Sequence, residues 1–285
     1  MRVARDMESL RAGVAELRGP GRRTLALVPT MGALHAGHLA LVAEARRLAD
    51  ATVASIFVNP LQFAAHEDLD RYPRDEAGDL SALREAGCDL VWTPTPAVMY
   101  PPGSATAVEV GGPAEGWEGA ARPGHFRGVA TVCAKLFGQT GADVAVFGEK
   151  DWQQLQVVRR AVSDLDLPIR IAGVPTVREP DGLAMSSRNR FLDPARRALA
   201  PRLHDAIRRA AAGIAAGAPA AETLAEAARG LGASGFEVDY LALVEAETMR
   251  PLERMPTSGS PARLVAAARL GTVRLLDNLP VPPAG

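Results

Sequence analysis

The stretch Pro29-Thr30-Met31-Gly32-Ala33-Leu34-His35-Ala36-Gly37-His38 constrains this chain most, because an apolar run, residues 24 to 28, leads into it and an amphipathic run leaves it. Past the turn, Leu41, Val42, Ala45, Leu48 and Ala49 recur at helical period on one face, while Glu44, Arg46, Arg47 and Asp50 take the other. That pattern predicts a helix from about Gly37. Strand, glycine turn and helix start together make an anion site, since free N–H groups and the positive dipole end face whatever lies above the strand. Gly32 and Gly37 let the main chain turn sharply and approach a ligand. His35 and His38 add donors that can follow charge as it builds on a phosphate.

A net charge of −1, from 32 basic and 33 acidic residues, gives no electrostatic pull toward nucleic acid or an anionic membrane. Small molecules are the expected partners. No run approaches the ~20 apolar residues of a spanning helix, and no leader-like segment opens the chain, so a soluble cytoplasmic protein is expected. Cys88 and Cys133 lack the paired spacing of a metal knuckle and read as small buried hydrophobes. Of the basic residues only Lys135 and Lys150 are lysine, so a lysine here is expected to need its compact ammonium.

Met7, Leu10, Val14 and Leu17 predict an opening helix, broken at Gly19-Pro20-Gly21. A β-branched run, 51 to 59, predicts a second buried strand ending in Asn59-Pro60-Leu61-Gln62, which would bring Asn59 and Gln62 beside the histidines. Residues 66 to 75 read as a polar loop or lid in which Tyr72 and Arg74 either touch substrate or are simply solvated; His66 has no assignable role. A helix from about Asp75 to Ala86 and a strand from 89 to 94 follow, then a Pro/Gly-rich region with one short strand candidate near 107 to 110. An apolar helix, 129 to 137, and a buried strand, 143 to 148, lead to Gly148-Glu149-Lys150-Asp151-Trp152-Gln153-Gln154. Lys150 and Gln154, four apart, share a helix face. Asp151 has two readings, ligand contact or compensation of the helix dipole. A last strand, 168 to 177, runs into Met185-Ser186-Ser187-Arg188, a loop able to wrap phosphate oxygens. From Asp193-Pro194 onward, two helices and three antiparallel strands (236 to 244, 263 to 270, 272 to 278) are expected.

The motifs PTMGALHAGH, FVNPLQF, GEKDWQQ, VPTVRE, AMSSRN and RLLDN, in this order and at these intervals over residues 24 to 279, resemble the AMP-forming pantoate–β-alanine ligase family, akin to the HxGH nucleotidyltransferases and class I aminoacyl-tRNA synthetases. The resemblance implies an α/β fold: a Rossmann-like parallel-sheet nucleotide-binding domain at 1–176 that binds ATP and pantoate, and a smaller α+β C-terminal domain at 177–285 whose Ser/Arg loop covers the site. It implies ATP on Met31, Gly32, Ala33, Leu34, His35, Ala36, Gly37 and His38 and on Gly148, Glu149, Lys150, Asp151, Val177, Met185, Ser186, Ser187 and Arg188. His38, His35, Lys150 and Arg188 would be catalytic. Gln62 and Gln154 would hold pantoate, with Asn59 and Tyr72 close by. Mg²⁺ would bridge phosphate oxygens without a dedicated protein ligand, and a homodimer is implied.

A transferase moving a nucleotide onto a phosphorylated acceptor would want cations where Gln62 and Gln154 offer neutral amides. A nucleotide-binding regulator without catalysis is the reading from another class, and AMP production separates the two. No GxxxxGK[ST] and no GxGxxG after an expected strand is present. Lys135 reads either as a phosphate contact or as a snorkelling helix residue.

Overall fold

The computed structural model describes residues 1–63, 69, 72–256 and 259–282. Six parallel strands form one sheet in the order β1-β4-β3-β2-β5-β6: β1 (Arg2–Ala4), β2 (Leu25–Thr30), β3 (Ala51–Ile56), β4 (Leu90–Trp92), β5 (Val144–Gly148) and β6 (Arg170–Val174). Around them lie α1 (Met7–Arg18), α2 (Ala36–Leu48), α3 (Glu76–Glu85), α4 (Pro96–Met99), α5 (Trp117–Ala121), α6 (His125–Thr140) and α7 (Trp152–Asp164). A second unit follows, with α8 (Pro194–Leu199), α9 (Arg202–Ala215) and α10 (Ala220–Ala233) against an antiparallel sheet of β7 (Phe236–Glu245), β8 (Ala262–Leu270) and β9 (Val273–Val281).

The central strands are apolar on both faces because both are covered. Leu25 and Leu27 of β2 join a core with Leu10 of α1, Val129 and Leu136 of α6 and Leu155 of α7. Their neighbours Ala26 and Val28 join another with Leu41 and Val42 of α2 and Leu83 of α3. The chain leaves β2 toward β3 on one side and pairs it with β5 on the other, so the sheet has its topological switch between β2 and β5. A parallel sheet opens a crevice at that place, beyond the carboxyl ends of its strands.

Several expectations need correction. Residues 107 to 110 form no strand; the Val108 amide bonds to the Thr131 hydroxyl at 2.9 Å. A strand at Arg2–Ala4 was not foreseen, being three residues long and paired only with β4. α6 begins at His125, ahead of the expected 129, after Gly124 at φ 82°, and runs on through Gly138 to Thr140, where a left-handed Gly141 ends it. The second unit has three helices among the described residues, because the Asp193 side chain caps a separate short one, accepting from the Arg196 amide at 2.8 Å. His66 and most of the expected lid lie outside the described residues.

Candidate active site

The turn after β2 is built from within. The Thr30 hydroxyl donates to Ser55 O at 2.6 Å and accepts from the Gly32 amide at 3.2 Å. Gly32 sits at φ 77°, and a Cβ there would lie 2.7 Å from Asp79 Oδ2. Ala33 takes φ 51°, an unfavourable place for a residue with a Cβ. Asp79, buried in α3, offsets that strain by accepting from the Ala33 and Leu34 amides, each at 2.8 Å.

His35 caps α2, its Nδ1 accepting from the Gly37 amide at 3.1 Å, while His38 Nδ1 accepts from the His35 amide at 3.3 Å. A ring nitrogen that accepts carries no proton, so both neutral rings bear theirs on Nε2. A Cβ on Gly37 would come within 2.9 Å of the His35 ring, which is why a glycine separates the two histidines. Burial, then the neighbouring Lys150 charge, pushes His35 down to about 4. Burial, then His35, pushes His38 down to about 3. At neutral pH the pair is therefore two uncharged N–H donors 4.1 Å apart, centroid to centroid.

One cleft gathers most of the expected residues: Met31, His35, Gly37 and His38 after β2; Gly148, Lys150, Asp151 and Gln154 after β5; Val177, Met185, Ser186, Ser187 and Arg188 from the second unit; and Gln62 and Tyr72 from the connection after β3. Lys150 pairs loosely with Asp151 at 3.4 Å. Ser187 Oγ donates to Ala33 O at 3.1 Å, joining the Ser/Arg loop to the turn.

Other expected residues stand back from the cleft. Gly32, Ala33, Leu34 and Ala36 shape the turn without lining the cavity. The Glu149 carboxylate turns away to Arg263 at 3.2 Å, and that guanidinium stacks on Trp152 at 3.5 Å. Asn59 is fully buried: its Nδ2 donates to Gln62 Oε1 and Gly128 O, both at 3.0 Å, and its Oδ1 accepts from the Tyr100 hydroxyl at 2.9 Å. It orients Gln62. With Oε1 so used, Gln62 has its NH₂ group left to offer as donor.

Sequence reading missed the back of the cleft. Val129, Val132, Cys133 and Leu136 line it with Phe57 and Phe147. Their spacing of three and four residues was visible, but a face toward core and a face toward cavity look alike in sequence. Lys135 lies instead over the Tyr100 ring, 5.8 Å from its centroid. Asp79 had no local sign at all.

A parallel α/β sheet whose switch point carries a glycine turn, a helix N-terminus and the HxGH histidines defines a nucleotide-binding enzyme of the HxGH type. The sequence model of the Pantoate-beta-alanine ligase family matches residues 2–280. Similar proteins include the pantothenate synthetase of Acidiphilium cryptum, 58% identical over 281 residues that cover 99% of this chain and all of that one. The pantothenate synthetase of Granulibacter bethesdensis is 54% identical, covering 98% and 96%. Among solved structures, the pantothenate synthetase of Thermus thermophilus superposes with a TM-score of 0.93 at 49% identity, covering 99% of this chain and 100% of that one. The Francisella tularensis pantoate-beta-alanine ligase, complexed with beta-gamma ATP and beta-alanine, has a TM-score of 0.81 at 29% identity, covering 98% and 97%. The chain belongs to the pantoate–β-alanine ligase family.

Proposed function

We propose that this cleft carries out the ATP-dependent condensation of (R)-pantoate with β-alanine to pantothenate, through a pantoyl adenylate and with release of AMP and pyrophosphate. The observation that carries this reading is the division of the cleft. Lys150, Arg188, two serines and two imidazole N–H groups supply charge and donors, while the amides of Gln62 and Gln154 sit with an apolar wall. Cations suit a polyphosphate, and amides over an apolar wall suit a small branched hydroxy acid.

ATP lies along the turn of residues 31–38, its phosphates met by His35, His38, Lys150, Ser186, Ser187 and Arg188. Adenosine and ribose lie near Gly148, Asp151, Val177 and Met185. Pantoate is held by Gln62 and Gln154, its methyl groups on Val129, Val132 and Leu136, with the buried Tyr72 and Asn59 close by. A pantoate carboxylate oxygen attacks the α-phosphorus in line; the bond to the bridging oxygen breaks and pyrophosphate leaves. Positioning and charge stabilisation carry this step. His38, uncharged at neutral pH, acts as a hydrogen-bond donor to the charge developing on the phosphates. The amine of β-alanine then attacks the acyl carbon, loses a proton as the amide forms, and AMP departs. Closure of the Ser/Arg loop keeps water from the mixed anhydride.

Mg²⁺ neutralises phosphate charge when bound. No group of three or more metal-binding side chains occurs among the described residues, so the ion would be carried by the phosphate oxygens and water without a dedicated protein ligand. Residues 1–176 form the ATP- and pantoate-binding unit, and 177–285 the unit that covers it. A cytoplasmic homodimer follows from the family resemblance, and no helix among the described residues is long and apolar enough to cross a membrane. A single 29.9 kDa species in sedimentation would refute the dimer.

The test is release of AMP and pyrophosphate from ATP, Mg²⁺ and pantoate with and without β-alanine. Sustained AMP release only with both acids present is expected. ATP binding with no AMP under any condition would overturn the reading.

A further inference from the structure

Two neighbouring polar residues in β9, Asp277 and Asn278, are each only 4% exposed. An asparagine and an aspartate are poor strand residues, and a strand that only had to fill a core would carry apolar ones. Consecutive strand residues point to opposite faces, and here each face reaches a different part of the cleft. Asn278 Nδ2 donates to Glu149 O at 2.9 Å and Lys150 O at 2.8 Å. The turn they belong to, Glu149–Asp151, leads into α7 without a side-chain cap, so this amide fixes the main chain that presents the Lys150 ammonium. Asn278 Oδ1 stays buried without a partner, a cost accepted for two bonds on the other atom.

Asp277 accepts two bonds from Arg178, at 2.7 and 2.8 Å, and one from His204 Nδ1 at 3.2 Å. Arg178 also donates to Gly182 O at 3.1 Å and faces Ala184 across a β-bridge. The Met185 amide then returns to Val177 O at 3.0 Å. Asp277 thus anchors the stem from which Ser186, Ser187 and Arg188 project.

We propose that Asp277 and Asn278 are positioning residues for adenylate formation: from adjacent places on one strand they hold Lys150 and the Ser186–Arg188 loop in register, so that both cations reach one polyphosphate. This rests on the reading that Lys150 and Arg188 meet the phosphates of ATP. Neither residue lines the cleft assigned to ATP and pantoate. Each acts through another.

The experiment is a pair of double-mutant cycles read by single-turnover pyrophosphate release from ATP and pantoate, alongside aminolysis of supplied pantoyl adenylate by β-alanine. Asn278→Ala and Asp277→Asn are each expected to slow pyrophosphate release by ~10-fold or more, the scale of a misplaced catalytic group. Aminolysis of the supplied adenylate should change by less than ~3-fold, since no pyrophosphate is then present to be held. In a Lys150→Ala background, Asn278→Ala should cost less than a further ~3-fold, as should Asp277→Asn in an Arg188→Ala background, because coupled residues are not additive. Should Asn278→Ala melt below the assay temperature, Asn278→Ser, which keeps a short donor, replaces it in the same cycle. Multiplicative losses in both cycles, or equal losses in both half-reactions, would overturn the inference while leaving the ligase reading intact. No pyrophosphate release by the unmutated protein would overturn both.

Discussion

In the wall from Thr30 to His38, polar groups are bonded to that wall or to the sheet and helix behind it: Thr30 to Ser55, Ala33 and Leu34 to Asp79, each histidine Nδ1 to a backbone amide. Facing it, the wall from Met185 to Arg188 is bonded mainly at its stem, and Arg188 forms no ion pair among the described residues. The first wall presents a fixed set of N–H donors. The second presents the Arg188 cation beside two hydroxyls, Ser187 donating to Ala33 O at 3.1 Å and Ser186 accepting from the Arg188 amide at 3.3 Å. Preorganisation on one side and adaptability on the other suit a reaction in which ATP must enter, react under cover and leave as AMP and pyrophosphate.

The largest effect should come from removing the groups proposed above to meet the phosphates. His38→Ala and Lys150→Ala are each expected to slow adenylate formation by ~100-fold or more, the size associated with an oxyanion-type donor. Near-normal single-turnover rates would show that neither the first wall nor the Lys150 turn does what its geometry suggests. Next, Asp79→Ala loosens the first wall without touching ligand. Two amides lose their acceptor beside a strained Ala33, so stability should fall by about 2 kcal/mol and adenylate formation by ~10-fold. Denaturant unfolding checks the first figure, and a rate loss without a stability loss would place Asp79 in the chemistry instead.

The histidines give a pH test of the same rigidity. Both have folded-state values below the ordinary 6.5, about 4 for His35 and about 3 for His38. As pH falls below about 6.5, the unfolded chain takes up protons that the folded rings refuse, and stability declines progressively toward pH 3. Thermal midpoints of the ligand-free protein should drop over that window, and the double variant His35→Gln/His38→Gln should flatten the slope. Equal slopes would mean that the rings are free to charge in the folded state. The smallest effect belongs to the junction between the walls: Ser187→Ala removes one half-buried bond to Ala33 O and should change stability by less than ~1 kcal/mol. A several-fold rise in KM for ATP with little change in kcat is the expected signature, and an unchanged KM would remove Ser187 from the ATP contacts.

What could be read from sequence follows the range of the interaction. The β2 turn and the Ser/Arg loop are local patterns, and Lys150 and Gln154 do line one cleft, though Lys150 sits in the turn before α7 and not on the expected shared helix face. Asp79 acts on a turn some 45 residues earlier, and Asn278 on carbonyls 128 and 129 residues earlier. Nothing in a window of sequence marks such pairs. Asn59 and Glu149 were placed in the right neighbourhood, but the side chain of the first points to Gln62, Gly128 and Tyr100 and that of the second to Arg263, directions that carry no sign in sequence. The expected strand at 107 to 110 had suitable residues, yet Val108 found a helix hydroxyl in place of a neighbouring strand.

Cys133 stands in the apolar back wall, within reach of whatever fills the cleft. Burial pushes its thiol up to about 12, and burial also lifts Cys88, to about 11. Thiolate is the reactive species toward peroxides and alkylating agents, so at neutral pH both sulfurs are held in the less reactive thiol form. The cleft therefore holds a cysteine kept in its less reactive form, and an electrophilic inhibitor aimed at the apolar back wall would find a poor nucleophile in that sulfur.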